Sequence, residues 1–335
     1  MQPTVPLEHS LTNFDLSRSS LPPELGITGA LNWDINLFVN QIPRSGQEVV
    51  VEKIDRVPGG KGGNVAVAAS RILGHGHVAL IACIGKDDVG KRQVSILKEE
   101  GVDTSAIQVL DDRESGQAYI TVDQNGGNVI ETHFGANAGL KNEHLMLPSV
   151  QSILANLRML VVIDPPRQVA GKLLAEGRRL KRSVMWHPGV LTRFGLAEFS
   201  DEMGDLDYLI LNEHEATSFA DEKRLDSSLE TLAKVSPKAK ILVTLGNKGA
   251  AFYSAGKMSK VPSILLDKLG LKVVNTTGSG DAFVGTFAAY KALGVADLEA
   301  FRYANMAGAL KACHSETRGS PTRKNLEESY RKYFD

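Results

Sequence analysis

The sequence predicts an α/β protein with a central, mostly parallel sheet, helices on both of its faces, and a small β-sheet lid. Beyond residue 157, short aliphatic runs alternate with helical stretches, the pattern of a parallel sheet covered on both sides. Two segments nearer the start, about 35–57 and 113–133, are rich in strand and turn signals and separated by helical sequence, so they are expected to pair as the lid. Two glycine-rich turns, near residues 60 and 280, each open a helix of small residues.

Composition fits one large domain, residues 27–335, behind an N-terminal extension of residues 1–26. The net charge of −1 argues against a nucleic-acid surface, and no apolar run approaches the ~20 residues of a membrane span. The extension is polar and lacks the basic start and apolar core of a signal peptide. Cys83 and Cys313 stand outside any metal-ligand or C-x-x-C spacing and read as buried small apolar residues. A reducing, cytoplasmic setting is expected.

In chain order, residues 26–31 read as a first core strand, after which Asn32 and Asp34 project to one side of an extended chain. An Asx-type turn and a hydroxyl-binding pair are equally compatible with those two residues. Strands and turns follow to Val57. Then Gly59-Gly60-Lys61-Gly62-Gly63-Asn64 opens a small-residue helix, with glycines that expose backbone to a ligand. It is no Walker A loop, because the spacing and the Lys-Ser/Thr pair are wrong. Gly74-x-Gly76-x-x-Ala79 matches a loose dinucleotide pattern, but it runs from helix to strand and so reads as a helix C-cap. Asp87 and Asp88 read as a loop and helix cap. Residues 117–132 read as a hairpin around Asp123-Gln124-Asn125-Gly126-Gly127. Later strands end at Asp164, His187, Asn212 and Thr244-Leu245-Gly246, and polar residues gather after each. In open parallel sheets ligands bind beyond the carboxyl ends of strands, so these loops are expected to form one rim.

The segment Val273-Val274-Asn275-Thr276-Thr277-Gly278-Ser279-Gly280-Asp281 is expected to hand a strand directly to a buried helix. Free N–H groups and the helix dipole make its turn a site for an anion. Asp281 reads either as a helix cap or as a general base beside that anion. Asn212 and Glu215, spaced one helical turn apart, read by themselves as a capping or solvated pair.

Residues 275–281 resemble the second signature of the ribokinase-like (PfkB) carbohydrate kinases, and Gly59 to Asn64 resemble the first, in the version typical of ribokinases. The two stand about 220 residues apart, in the family's order. The resemblance covers roughly Ile27 to Tyr330. It implies a catalytic set of Asp281 as base with Gly278, Ser279 and Gly280 holding charge, and sugar contacts from Asn32, Asp34, Gly60, Lys61, Asn64 and Asp164. It further implies nucleotide contacts from Thr244, Gly246 and Asn305, with Asn212 and Glu215 organising Mg2+ and the phosphates. A structural bond to backbone stays open for Asn305. Asn275 and Thr277 match a monovalent-cation site, but Asn275 replaces a usual Asp, which makes activation by K+ doubtful. His187 replaces a usual Asn.

The implied reaction is transfer of the terminal phosphate of ATP to a primary hydroxyl of a pentose, D-ribose first. A nucleoside kinase with a base pocket near Trp33 is the first alternative, a sugar-phosphate kinase the second, and a non-catalytic sugar sensor the last. Glu114-Ser115-Gly116-Gln117 lacks the Arg of the sugar-phosphate branch. The lid is expected to serve also as a homodimer clasp.

Overall fold

The computed structural model describes residues 23–125 and 127–334. Most of the N-terminal extension therefore lies outside the described residues, as does the hairpin residue Gly126. The first half of the chain builds β1 (Leu25–Thr28), β2 (Asn32–Val39), β3 (Val51–Gly59), α1 (Lys61–Leu73), β4 (Val78–Gly85), α2 (Asp88–Glu99), β5 (Val102–Asp103), β6 (Ile107–Leu110), β7 (Gly116–Asp123) and β8 (Asn128–His133). After these come α3 (Asn142–Leu145), α4 (Pro148–Asn156), β9 (Met159–Ile163), α5 (Arg167–Arg179), β10 (Ser183–His187), α6 (Ser200–Met203), β11 (Tyr208–Asn212), α7 (Glu213–Ala220) and α8 (Leu225–Val235). The last elements are β12 (Lys240–Thr244), β13 (Ala250–Ser254), β14 (Lys257–Val261), α9 (Ser279–Ala292), α10 (Asp297–Lys311) and α11 (Arg323–Phe334).

Among the described residues the large sheet has ten strands in the order β14-β13-β12-β11-β10-β9-β1-β4-β5, with β6 also pairing with β4. The strands from β12 to β5 run parallel, and of the remaining two only β13 is reversed, since β14 pairs antiparallel with β13 and so shares the direction of β12; the expected mostly parallel sheet is formed. Alternate residues of each strand enter different cores. Val161, Met185 and Ile210 pack with α1, α9 and α10 on one face. Leu160, Trp186 and Leu209 pack with α4, α5, α7 and α8 on the other.

A second sheet has the order β3-β2-β7-β8, in which β2 pairs with β7 in parallel and the other pairs are antiparallel. It joins the two β segments that helical sequence separates, as expected of the lid. Register puts Asp34, Ala118, Ile120, Ile130 and Thr132 on the face toward the site, and Ile54, Tyr119 and Val129 on the outer face.

Several boundaries differ from the sequence expectations. Leu25 and Gly26 belong to β1, not to the extension, because both pair with β4 and β9. The lid begins at Asn32, since Asn32 and Asp34 are already paired in β2. No strand precedes the turn near 280: Val273 and Val274 are 61% exposed, and the segment is held through Val274 N and Asn275 N to the Ala312 carbonyl. β-branched residues there signalled a strand, but they pair with no strand among the described residues. Gly62 and Gly63 are buried against Gly29 and against Leu31 and Arg318, so these two glycines serve close packing, not ligand access. Gly74 caps α1 and Asp87 caps α2, both as expected. Cys83 is buried, while Cys313 is only half-buried.

Candidate active site

The site lies where the start of α1, the start of α9 and the lid meet the carboxyl ends of the sheet strands. Gly60, with φ at 85°, turns the chain from β3 into α1. That turn sets Lys61 and Asn64 on the first helical turn. Gly278, with φ at 83°, does the same for α9, and a Cβ there would run into the Thr317 carbonyl. The N–H groups of Gly278, Gly280 and Asp281 find no backbone partner among the described residues, and Ser279 Oγ is buried without one. Free donors gathered at a helix start are an arrangement that suits an oxyanion.

The two glycine-rich turns are bonded to each other. Asn64 Nδ2 donates to Asp281 Oδ2 at 2.7 Å, across 217 residues of sequence. Burial pushes the Asp281 carboxyl up, and the Asn64 hydrogen bond, Lys61 and His187 oppose that rise. Asp281 Oδ2 is thereby oriented, and its side chain borders an open cleft.

This cleft, of about 310 Å³, is bordered by Asn32, Asp34, Gly60, Lys61 and Asn64 on one side and by Thr277, Gly278, Gly280 and Asp281 on another. Ala118, Ile120, Ile130 and Thr132 of the lid form its roof, and His187, Asn212, Glu215 and Thr244 lie at the strand ends. A neighbouring cavity of about 370 Å³ is lined by Gly246, Ser279, Phe283 and Asn305, and it shares Thr244 and Gly280 with the first. Two cavities that meet at an anion-binding turn suit a donor and an acceptor of one phosphoryl group.

Asp34 is buried, and desolvation pushes its carboxyl up to about 7, with Arg318 opposing and Asp281 adding to the rise. Lys61 Nζ binds Asp164 Oδ2 at 2.8 Å. Burial alone would lower the Lys61 ammonium, but Asp164, Asp281 and Glu215 hold it above its usual value. Asp164, expected among the sugar contacts, is not on the cleft wall. It has φ at 29° and lines a separate cavity of about 220 Å³ with Phe134, Leu140 and Val190. Its carboxylate is satisfied by Lys61 instead. Asn212 and Glu215 form a reciprocal capping box, with bonds of 2.8 and 2.9 Å. Asn305 Nδ2 bonds the Pro262 carbonyl at 3.0 Å, so its structural bond exists while it also lines the second cavity. Asn275 lies behind the turn: its Oδ1 accepts from Thr277 N and its Nδ2 donates to Ser315 O.

Magnesium was expected with the nucleotide. Among the described residues no cluster of three or more ligating side chains would hold a metal. The donor set fits an ion carried mainly by phosphates and water, since Glu215 Oε1 stays outside the capping bonds at the cleft wall.

Sequence reasoning missed Arg318. It is buried, and its guanidinium donates to Gly59 O at 2.7 Å, Gln93 Oε1 at 2.8 Å and Asn64 Oδ1 at 3.2 Å. It thus fixes Asn64 from behind. Burial lowers the guanidinium to about 10, against the pull of Asp34, Glu100 and Asp281. An Arg in a short polar connection gives no periodic signal that it will be buried. Asn137 was missed as well; it bonds Leu31 N at 2.8 Å and Asn32 Oδ1 at 2.9 Å, and so orients Asn32.

Fold and site together define a phosphotransferase of the α/β class with an alcohol as acceptor. The pfkB family carbohydrate kinase model matches residues 24–324. The chain is 28% identical over 303 residues to a ribokinase of Bacillus subtilis (strain 168), covering 90% of this chain and 97% of that protein. It is similar in structure to ribokinase from Giardia lamblia, with a TM-score of 0.81 at 21% identity over 93% of this chain and 99% of that one. Ribokinase from Thermotoga maritima gives a TM-score of 0.79 at 25% identity, over 92% and 99%. The chain belongs to the pfkB family of carbohydrate kinases. It is a phosphotransferase with an alcohol group as acceptor.

Proposed function

We propose that this kinase phosphorylates the primary hydroxyl of a pentose, D-ribose, to give ribose 5-phosphate. The observation that carries this reading is the Asn64–Asp281 bond on the wall of the first cleft, next in sequence to Gly280, which borders both cavities. Asp281 accepts the hydroxyl proton as that oxygen attacks the terminal phosphorus of ATP, and the bond from that phosphorus to the bridging oxygen breaks to release ADP. The N–H groups of Gly278 and Gly280, with Ser279, hold the charge on the transferring group. Glu215 would help hold magnesium, directly or through water, and the ion would supply positive charge against the nucleotide phosphates. Asp34 and Asn32 accept and orient the other hydroxyls, with Asn64, Gly60 and Lys61 beside them. The lid excludes water and limits loss of phosphate to hydrolysis.

A cleft of about 310 Å³ with polar walls and an apolar roof suits a single sugar ring. A nucleoside is the second reading. Trp33, near which a base pocket was expected, is buried and lines no part of the cleft, which gives this reading less support than a free sugar. A sugar phosphate has less support, because the cleft's cationic wall residue, Lys61, is already paired with Asp164. A sensor would have no use for a base beside an anion turn. Homodimerisation through the lid is supported by Ile54, Tyr119 and Val129, each at least 39% exposed on its outer face.

A coupled phosphorylation assay over ribose, fructose, nucleosides and ribose 1-phosphate tests the acceptor. Ribose is expected to give the highest kcat/KM. Transfer to nucleosides with none to free sugars would replace this reading by the second.

A further inference from the structure

We propose that Lys311 is a built-in monovalent cation for the anion turn: its ammonium group does the work that a dissolved ion would otherwise do at residues 275–277. This rests on the kinase reading of that turn. Lys311 ends α10 and is fully buried, yet it forms no ion pair among the described residues. Its Nζ instead donates to two backbone carbonyls, Asn275 O at 2.9 Å and His314 O at 3.4 Å. Neutral carbonyl oxygens from two chain segments are the ligand type that an alkali cation takes, and here an ammonium group occupies the place between them.

The surroundings explain how a buried charge without a carboxylate partner is tolerated. Lys311 lies in the last turn of α10, where the dipole favours a cation. Its segment is stapled to the turn by Val274 N and Asn275 N, both donating to Ala312 O, and by Asn275 Nδ2 donating to Ser315 O. Burial lowers the ammonium to about 8, and the negative charge of Asp281 and the Cys313 thiol oppose that fall. The group is therefore mostly charged at neutral pH. A positive charge behind a turn that collects phosphate oxygens adds to its potential in a low-dielectric setting. With the ammonium in place, neutral Asn275 is enough, because no second cation needs a carboxylate.

The test compares wild type and Lys311→Ala in potassium chloride and in tetramethylammonium chloride of equal ionic strength. Turnover and the ADP-induced rise in melting temperature are both read. Wild type is expected to behave alike in the two salts. Lys311→Ala is expected to lose about tenfold or more of its kcat in the organic cation, with a smaller ADP-induced shift, and to regain much of both in potassium or ammonium. Rescue by a free cation is a response that a purely structural lysine would not give. Severalfold activation of wild type by potassium, or a folded variant with full activity in tetramethylammonium, or an impaired one that no cation rescues, would overturn the proposal. If Lys311→Ala fails to fold, the wild-type comparison decides alone. The wild-type ADP shift reports the nucleotide site separately, so its absence would strike the kinase reading, whereas a potassium effect would strike this one.

Discussion

Asn64 Nδ2 sits 2.7 Å from Asp281 Oδ2, and Arg318 Nε lies 3.2 Å from the other end of the same amide, at Oδ1. The amide thus has a fixed orientation: its oxygen is held by a guanidinium, so its NH2 must face the carboxylate. A hydrogen bond to a charged group contributes about 1.5–3 kcal/mol, and it favours the ionised form that a base requires.

Asn64→Leu removes that bond, so the Asp281 carboxyl is left to the upward push of burial. The acid limb of the kcat profile should shift to higher pH, with a loss of about tenfold or more in kcat at neutral pH. A pH–rate series on the variant and wild type checks this. An unchanged profile would remove Asn64 from the mechanism.

Asp34 should make acceptor binding pH-dependent. Its carboxyl is pushed up to about 7, so it is largely neutral below that pH and a strong acceptor of hydroxyl protons above it. The KM for the sugar should fall as pH rises through about 7, and Asp34→Asn should raise KM by about 10- to 100-fold with a flat pH dependence. Stability runs the other way. A raised carboxyl stabilises the free protein most below the unfolded value of 3.8, and that contribution is lost as pH rises through about 7. Melting curves of the sugar-free protein across that range should show the decline, and Asp34→Asn should lack it.

Gly278 and Gly280 should respond differently to the same change. Gly278→Ala places a Cβ against the Thr317 carbonyl at positive φ, so it should cost about 1–3 kcal/mol of stability as well as activity. At Gly280 a Cβ meets nothing within 4 Å, so Gly280→Ala should melt normally. It should still lose turnover, because Gly280 borders both cavities. Paired melting and kinetic measurements separate the two effects.

Arg318→Leu should destabilise the fold by about 3–5 kcal/mol, because it leaves Gly59 O, Gln93 Oε1 and Asn64 Oδ1 without their buried donor. It should also weaken sugar binding at neutral pH, since Arg318 opposes the rise of the Asp34 carboxyl. Denaturant titration and KM at two pH values test both parts.

The parallel sheet was legible because each strand is a short aliphatic run ending in polar residues, as in Met159–Ile163. The lid was legible from β-branched patches, although its parallel β2–β7 pairing was not, because pairing partners 84 residues apart leave no local trace. The turn at Gly278 and the cap at Asn212 followed from local chemistry. What stayed hidden depends on tertiary burial: Arg318, Lys311 and Asn137 are ordinary polar residues until distant segments enclose them. The pairing of Asp164 with Lys61 was hidden as well, because the two stand 103 residues apart. Val273 and Val274 misled because strand propensity means little without a sheet edge to join.

The most direct measurement is turnover of Asp281→Asn against wild type in the coupled phosphorylation assay, with ADP binding followed by melting temperature on the same samples. Loss of the base with the anion turn intact should cut kcat by about 10²- to 10⁴-fold while the ADP-induced shift stays close to that of wild type. A variant that binds ADP and retains most of its turnover would contradict the assignment of Asp281 as the group that takes the proton.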